Sequence, residues 1–134
     1  MTIELRNADA LAPPAGFSHA STAPAGRSVH LAGPIGTDAD GNLPEGLAAQ
    51  TERALLNLVS ALTGASDASV DDLAKVTIYV VGWRESMQAE LIEGIGRAAA
   101  VNPLPLVPIT LIGVHSLFLD AALIEIEATA VIAD

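Results

Sequence analysis

Two stretches in the middle of the chain repeat apolar side chains at helical spacing, and a strand-like run separates them. Leu47, Thr51, Ala54, Leu55, Leu58 and Leu62 share one face of a predicted helix that begins at Pro44 and Glu45 and runs to about Thr63. Gln50, Arg53, Asn57 and Ser60 take its other side, and Gly64 is the expected stop. Met87, Leu91, Ile95 and Ala98 form the apolar stripe of a second helix, over about Glu85–Ala100, with Glu93 and Arg97 as a favourable i,i+4 pair. Gly94 and Gly96 weaken this helix and are read as places of close packing. Between the two lies Leu73–Val81, LAKVTIYVV, whose β-branched residues predict a strand.

Short strands are expected on either side of this centre. TIELR (2–6), Phe17–Thr22 and Ser28–Ile35 precede the first helix, separated by the LAPPAG loop and by the turn Ala23-Pro24-Ala25-Gly26. The run from Asn102 to Pro108 holds three prolines and cannot be helical; Ile109–Val114 and Leu123–Ile132 follow it as strands. The order β-β-β-α-β-α-β-β predicts a single α+β domain over residues 1–134, with one mixed sheet and two helices on one of its faces. The other face is expected to stay apolar unless another subunit covers it. Composition points the same way: 51% of the 134 residues are hydrophobic, and burial between identical subunits is the simplest outlet for that surface.

Several classes of function are disfavoured. No apolar run reaches the roughly 18–20 residues of a membrane span, and the N-terminus does not have the pattern of a signal peptide, so a cytoplasmic location without membrane association is expected. With no cysteine, neither disulfides nor thiolate chemistry is available. Six cations against sixteen carboxylates leave a net charge of −10, and the cations do not cluster, so nucleic acid is not an expected partner.

Four segments, in order, resemble the RidA/YjgF family. They are Gly16-Phe17-Ser18-His19-Ala20; Gly26-Arg27 with Leu31-Ala32-Gly33-Pro34-Ile35-Gly36; Gln50-Thr51 and Ala54–Leu58 with Leu73–Val80; and Ile124-Glu125-Ile126-Glu127-Ala128-Thr129-Ala130-Val131. The resemblance implies a chorismate-mutase-like fold and a homotrimer with three clefts between subunits. In deaminase members of the family those clefts hydrolyse small enamines and imines and release ammonia. The resemblance implies no metal and no organic cofactor.

The same resemblance supplies the candidate site. Glu125 matches the cleft carboxylate and is the candidate catalytic residue, able to activate water and return a proton. Glu127, on the same face of the strand, is left out because the family pattern favours the first glutamate. Pro108 matches the family's proline, and Thr110 then stands where the deaminases carry an arginine whose fork holds a carboxylate. No arginine or lysine lies between residue 98 and the end, so a cation would have to be Arg27, Arg84 or Arg97 of another subunit. Phe17 stands for a frequent tyrosine, Ala32 for a serine and Pro34 for a glutamine. With Thr110 and His19 these residues are the expected substrate-binding wall: less polar than the family's, with Glu125 as its chief ionisable group, and suited to neutral or cationic ligands. His19, His30 and His115 do not have metal-ligand spacing, and no metal site is expected.

Three functions compete. One is hydrolysis or tautomerisation of imine- or enamine-type metabolites with a non-standard substrate. The second is a non-catalytic trimer that binds a small ligand or partner. The third, the ribonuclease role attached to some relatives, fits the negative charge poorly.

Overall fold

The computed structural model describes residues 3–134; the first residue of the expected strand at 2–6 lies outside that range. Six strands and two helices follow in the expected order: β1 (Glu4–Arg6), β2 (Ala20–Thr22), β3 (Gly26–Leu31), α1 (Leu47–Ala65), β4 (Leu73–Val81), α2 (Gln88–Val101), β5 (Ile109–Val114) and β6 (Ile124–Ala133). Four strands form the mixed sheet, in the order β3-β6-β4-β5. β4 and β5 are parallel, joined by a crossover through α2, and both of β6's pairings are antiparallel. The expected single sheet is divided, since β1 and β2 pair only with each other. Their short ribbon is tied to β4 by Ser21, whose hydroxyl donates to the Ala74 carbonyl at 2.5 Å.

The core lies between the sheet and the two helices. Leu58 and Leu62 of α1 meet Ile124, Ile126 and Ala130 of β6 and Val80 of β4, all but inaccessible to water. Each fully buried large aliphatic side chain contributes roughly 1.5–3 kcal/mol relative to exposure.

Several boundaries differ from the sequence reading, for local reasons. α1 begins at Leu47, because Gly46 adopts φ 90°, a left-handed conformation outside any α-helix. Gly64 does not end it; the helix closes at Ala65, and the Ser66 hydroxyl donates back to the Leu62 carbonyl at 2.6 Å. β3 stops at Leu31, since Gly33-Pro34 cannot continue the ladder, and Ile35 makes one isolated bridge to Glu125. Residues 85–87 form a 3-10 turn ahead of α2.

Gln50, expected on the polar side of α1, is buried. Its amide donates to the Pro44 and Ala121 carbonyls at 3.1 and 3.0 Å, and its oxygen accepts from the Leu123 N–H at 2.8 Å. One side chain thus satisfies three backbone groups of two loops, which is what makes its burial tolerable.

The two helices touch through Gly94. A Cβ there would lie 2.5 Å from the Ala48 carbonyl oxygen and 2.6 Å from Thr51 Cβ, whereas a Cβ on Gly96 would meet nothing within 4 Å. Close packing is therefore the role of one glycine and not of the other. Gly94→Ala is expected to destabilise the protein by about 1–3 kcal/mol through overpacking. Gly96→Ala should stabilise it by about 0.5–1 kcal/mol through helix propensity alone. Urea unfolding of the pair checks this, and equal effects of the two substitutions would contradict it.

Candidate functional site

The alternation of β6 decides which side chains face away from the helices. Ile124, Ile126, Ala128 and Ala130 are buried against them, so Glu125, Glu127 and Thr129 stand on the uncovered face. Across the ladder, Tyr79 pairs with Glu125 and Thr77 with Glu127. The Tyr79 hydroxyl donates to Glu127 Oε1 at 2.5 Å. That bond above all, then burial, then the negative charges of Glu127 and Glu125, hold the phenol above its ordinary range.

β4 reaches this face through an irregularity. Its register with β6 shifts between Leu73 and Lys75, a β-bulge at Ala74. Without it Leu73 and Lys75 would share a face. With it Leu73 enters the core while Lys75 joins Thr77 and Tyr79 on the uncovered side. The Lys75 ammonium donates to Thr110 Oγ1 at 2.5 Å, from the strand adjacent to β5. A small cavity of about 170 Å³ lies between His30, Lys75, Thr77, Glu127 and Thr129. The uncovered face is therefore not the apolar surface expected from the sequence. It carries a lysine, two glutamates, a tyrosine and threonines, with Ile112 and Val114 at its β5 margin.

Glu125 has a built seat. The segment Ala32–Gly36 runs beside it: Ile35 bridges Glu125, and the Ile126 N–H donates to the Pro34 carbonyl at 3.0 Å. From α1, the Asn57 amide donates to the Ile35 and Thr37 carbonyls, both at 2.8 Å, and holds the segment in place. A Cβ on Gly33 would stand 2.5 Å from Glu125 Cγ and 2.8 Å from Oε2, so any other residue there would displace the carboxylate. On the helix side of this segment an open groove of about 660 Å³ carries Arg53 and Ser60 on its wall.

The remaining expected residues lie at the other edge. Thr110 is on β5, the edge strand opposite β3. Phe17 precedes Ser18, whose N–H reaches the Val107 carbonyl at 3.4 Å, just before β5. Its ring meets that of His19 edge-on, with centroids 6.2 Å apart. Both nitrogens of His19 are engaged within its own loop: Nδ1 accepts from the Ala8 N–H at 3.1 Å, and Nε2 is 3.1 Å from the Ala12 carbonyl. His19 thus organises residues 7–19, and in this arrangement it has no ring nitrogen left for a ligand.

The expected site therefore divides into two. Ala32, Pro34 and Glu125 sit at the β3–β6 margin, and Phe17, His19 and Thr110 at the β5 margin. Glu125, on β6, lies two strand spacings, roughly 10 Å, from β5.

Sequence reasoning missed Lys75 and Tyr79, and set Glu127 aside. The alternation of Lys75, Thr77 and Tyr79 within β4 was the available signal, and Glu127 shares the face of Glu125 by the same rule. The sequence reading looked for a cation after residue 98 and then to Arg27, Arg84 or Arg97 of another subunit, whereas Lys75 comes from the neighbouring strand of the same chain. Arg97 is occupied on the helix side with Glu93 at 2.7 Å and Glu52 at 4.0 Å. Among the described residues, no group of three or more His, Asp or Glu is placed to hold a metal ion, and no helix is long and apolar enough to cross a membrane.

Comparison with known proteins places this geometry. A family model described as Endoribonuclease L-PSP matches residues 7–132. No functionally curated protein matches the chain significantly. Among solved structures, YyfB of Yersinia pestis, a Rid-family protein of unknown function, is 34% identical over 98% of this chain and 100% of its own, with a TM-score of 0.85. Rv2704 of Mycobacterium tuberculosis, of the YjgF/YER057c/UK114 family, is 27% identical over 98% of this chain and 100% of its own, with a TM-score of 0.61. E. coli TdcF, solved with bound serine, shares the fold at 23% identity over 99% of both chains, with a TM-score of 0.67. By the near-complete match to the family model, and by the same arrangement of strands and helices, this chain belongs to the Endoribonuclease L-PSP family, the Rid/YjgF group.

Proposed function

We propose that this protein hydrolyses the C=N bond of small imines, or of enamines after tautomerisation, in clefts shared between the subunits of a homotrimer. The observation that carries this reading is the division of the site between opposite margins of one sheet. A cyclic head-to-tail assembly sets the β5 margin of one subunit against the β3–β6 margin of the next, and unites the halves. Apolar side chains left in water near the β5 margin support such burial: Leu106, Ile112 and, at 97% exposure, Phe118.

In the united cleft Glu125 takes a proton from water as its oxygen adds to the imine carbon, and passes that proton to the nitrogen. The carbinolamine then collapses: Glu125 takes the hydroxyl proton and hands it to the amino group as the C–N bond breaks, so that the carbonyl forms, ammonia leaves and the carboxylate is restored. Tyr79 and Glu127, one strand and two residues away, keep a proton in store on the same face. Lys75, steadied by Thr110, supplies the positive charge that the expected wall lacked. It is a point charge, not a planar fork, so it attracts an electron-rich group without orienting it as an arginine does. The substrate therefore differs from those of arginine-bearing relatives in how it is held. With a net charge of −10, the chain is poorly suited to a polyphosphate substrate, which disfavours ribonuclease action despite the family's description.

Glu125→Gln is expected to lower kcat for ammonia release from small imines by about 10²–10⁴. Lys75→Met should lower kcat/KM by roughly 10–100-fold, the worth of a hydrogen bond to a charged group. Activity unchanged in both variants would refute the assignment, and ligand binding without turnover in the wild type would favour the non-catalytic trimer. Mass photometry should find three subunits; a fully active monomer would remove the shared cleft.

Tyr79 is the only tyrosine of the chain, so the tyrosinate absorbance reports it alone. Its midpoint should lie above the ordinary 10.0 and fall back toward it in Glu127→Gln. Because the folded state holds this proton more tightly than the unfolded chain, the associated stability is present below about pH 10. It is lost as pH rises through the folded-state value. A midpoint unmoved by Glu127→Gln would show that the bond to Glu127 is not its cause.

A further inference from the structure

A second cavity, of about 150 Å³, lies on the opposite side of the sheet from Glu125, between β4, β5, both helices and the proline-rich loop ahead of β5. Leu55 of α1, Ile95 and Ala99 of α2, Val76 of β4 and Ile109 of β5 are among its walls, and Leu104–Val107 form its outer side. Every one of its twelve lining residues is aliphatic or glycine, so no side chain in the wall offers a hydrogen bond to a water. Close-packed interiors hold few voids larger than a water molecule, and a space of this size, partly open to solvent beside the exposed Leu106, is a departure that requires a cause. Here the cause is the loop. Pro103, Pro105 and Pro108 stiffen it against collapse, and the Val107 N–H is already spent on the Pro105 carbonyl at 2.9 Å.

We propose that this cavity is a binding site for one small, uncharged apolar molecule: a single unsubstituted ring or a short alkyl chain. Engineered cavities of about this volume with aliphatic and aromatic walls stay dry and take up benzene or xenon, because a guest restores the dispersion contacts that the empty walls forgo. The volume is too small for a nucleotide or a drug-sized ligand. The absence of any polar side chain from the wall disfavours carboxylates, alcohols bound by their oxygen, and ions. The site is distinct from the hydrolytic cleft, since Val76, Ile78 and Ile109 face the helices whereas Lys75 and Thr110 face the uncovered side of the same strands.

The test uses the full-length protein with benzene as probe and benzoate as its charged control. Benzene should raise Tm in proportion to dose, by on the order of 3–6 °C at ten times its Kd, and benzoate should not. Methyl NMR should show benzene-induced shifts confined to Leu55, Val76, Ile78, Ile95, Leu104 and Ile109. Ala99→Leu, which fills the space from α2, should abolish both responses. If that variant fails to fold, the methyl map of the wild type decides alone. No shift in the wild type, shifts centred elsewhere, an equal response in folded Ala99→Leu, or equal binding of benzoate would each overturn the proposal.

Discussion

The position of β6 between β3 and β4 is the constraint from which the rest of the molecule follows. A strand paired on both sides cannot slip by one residue without exchanging its two faces. One face of β6 is Ile124, Ile126, Ala128 and Ala130, closed over by α1; the other is Glu125, Glu127 and Thr129. The cost of exposing the first row, and of burying two carboxylates in its place, locks the register. That register sets Tyr79 opposite Glu125 and within reach of Glu127. The chemistry of the uncovered face is in this sense a by-product of core packing.

The bulge in β4 adds what a regular ladder could not. The side chains of Leu73 and Lys75 want opposite solvents, and in a regular strand two residues of that spacing share a face. One extra residue, Ala74, resolves the conflict, and its carbonyl is taken up by Ser21 from the β1–β2 ribbon. The result is a lysine beside Thr110, next to the strand where the family's arginine would stand. A cation can thus be regained in space after it is lost in sequence. Such an exchange changes the geometry of recognition as well as its strength, because an ammonium has no preferred plane.

Much of this was open to reading from the chain itself. The helical stripe from Leu47 to Leu62, the β-branched run at 73–81 and the prolines of 102–108 each carry a local signal that packing did not override, and the element order followed from them. Where polar side chains departed from the sequence reading, their partners lay outside their own element. Gln50 looked solvent-facing because its partners, Pro44, Ala121 and Leu123, belong to loops that only the fold brings together. His19, expected to line the site, holds its own loop together by hydrogen bonds of both ring nitrogens with Ala8 and Ala12. Lys75 and Glu127 were passed over because family correspondence, applied position by position, does not register neighbours across strands.

By itself the sequence determined the class of fold, the order of its elements, the family and the face on which Glu125 lies. These depend on periodicity, on proline and glycine, and on motifs within a few residues of one another. Tertiary structure alone decided that the expected site falls into halves on separate strands, with Glu125 roughly 10 Å from β5, that a lysine accompanies Thr110, and that an apolar cavity persists behind β5. The physical reason is the same in all three. Strand order, bulges and the fit of a stiff loop over a core are properties of long-range contacts, and no local pattern of side chains encodes them.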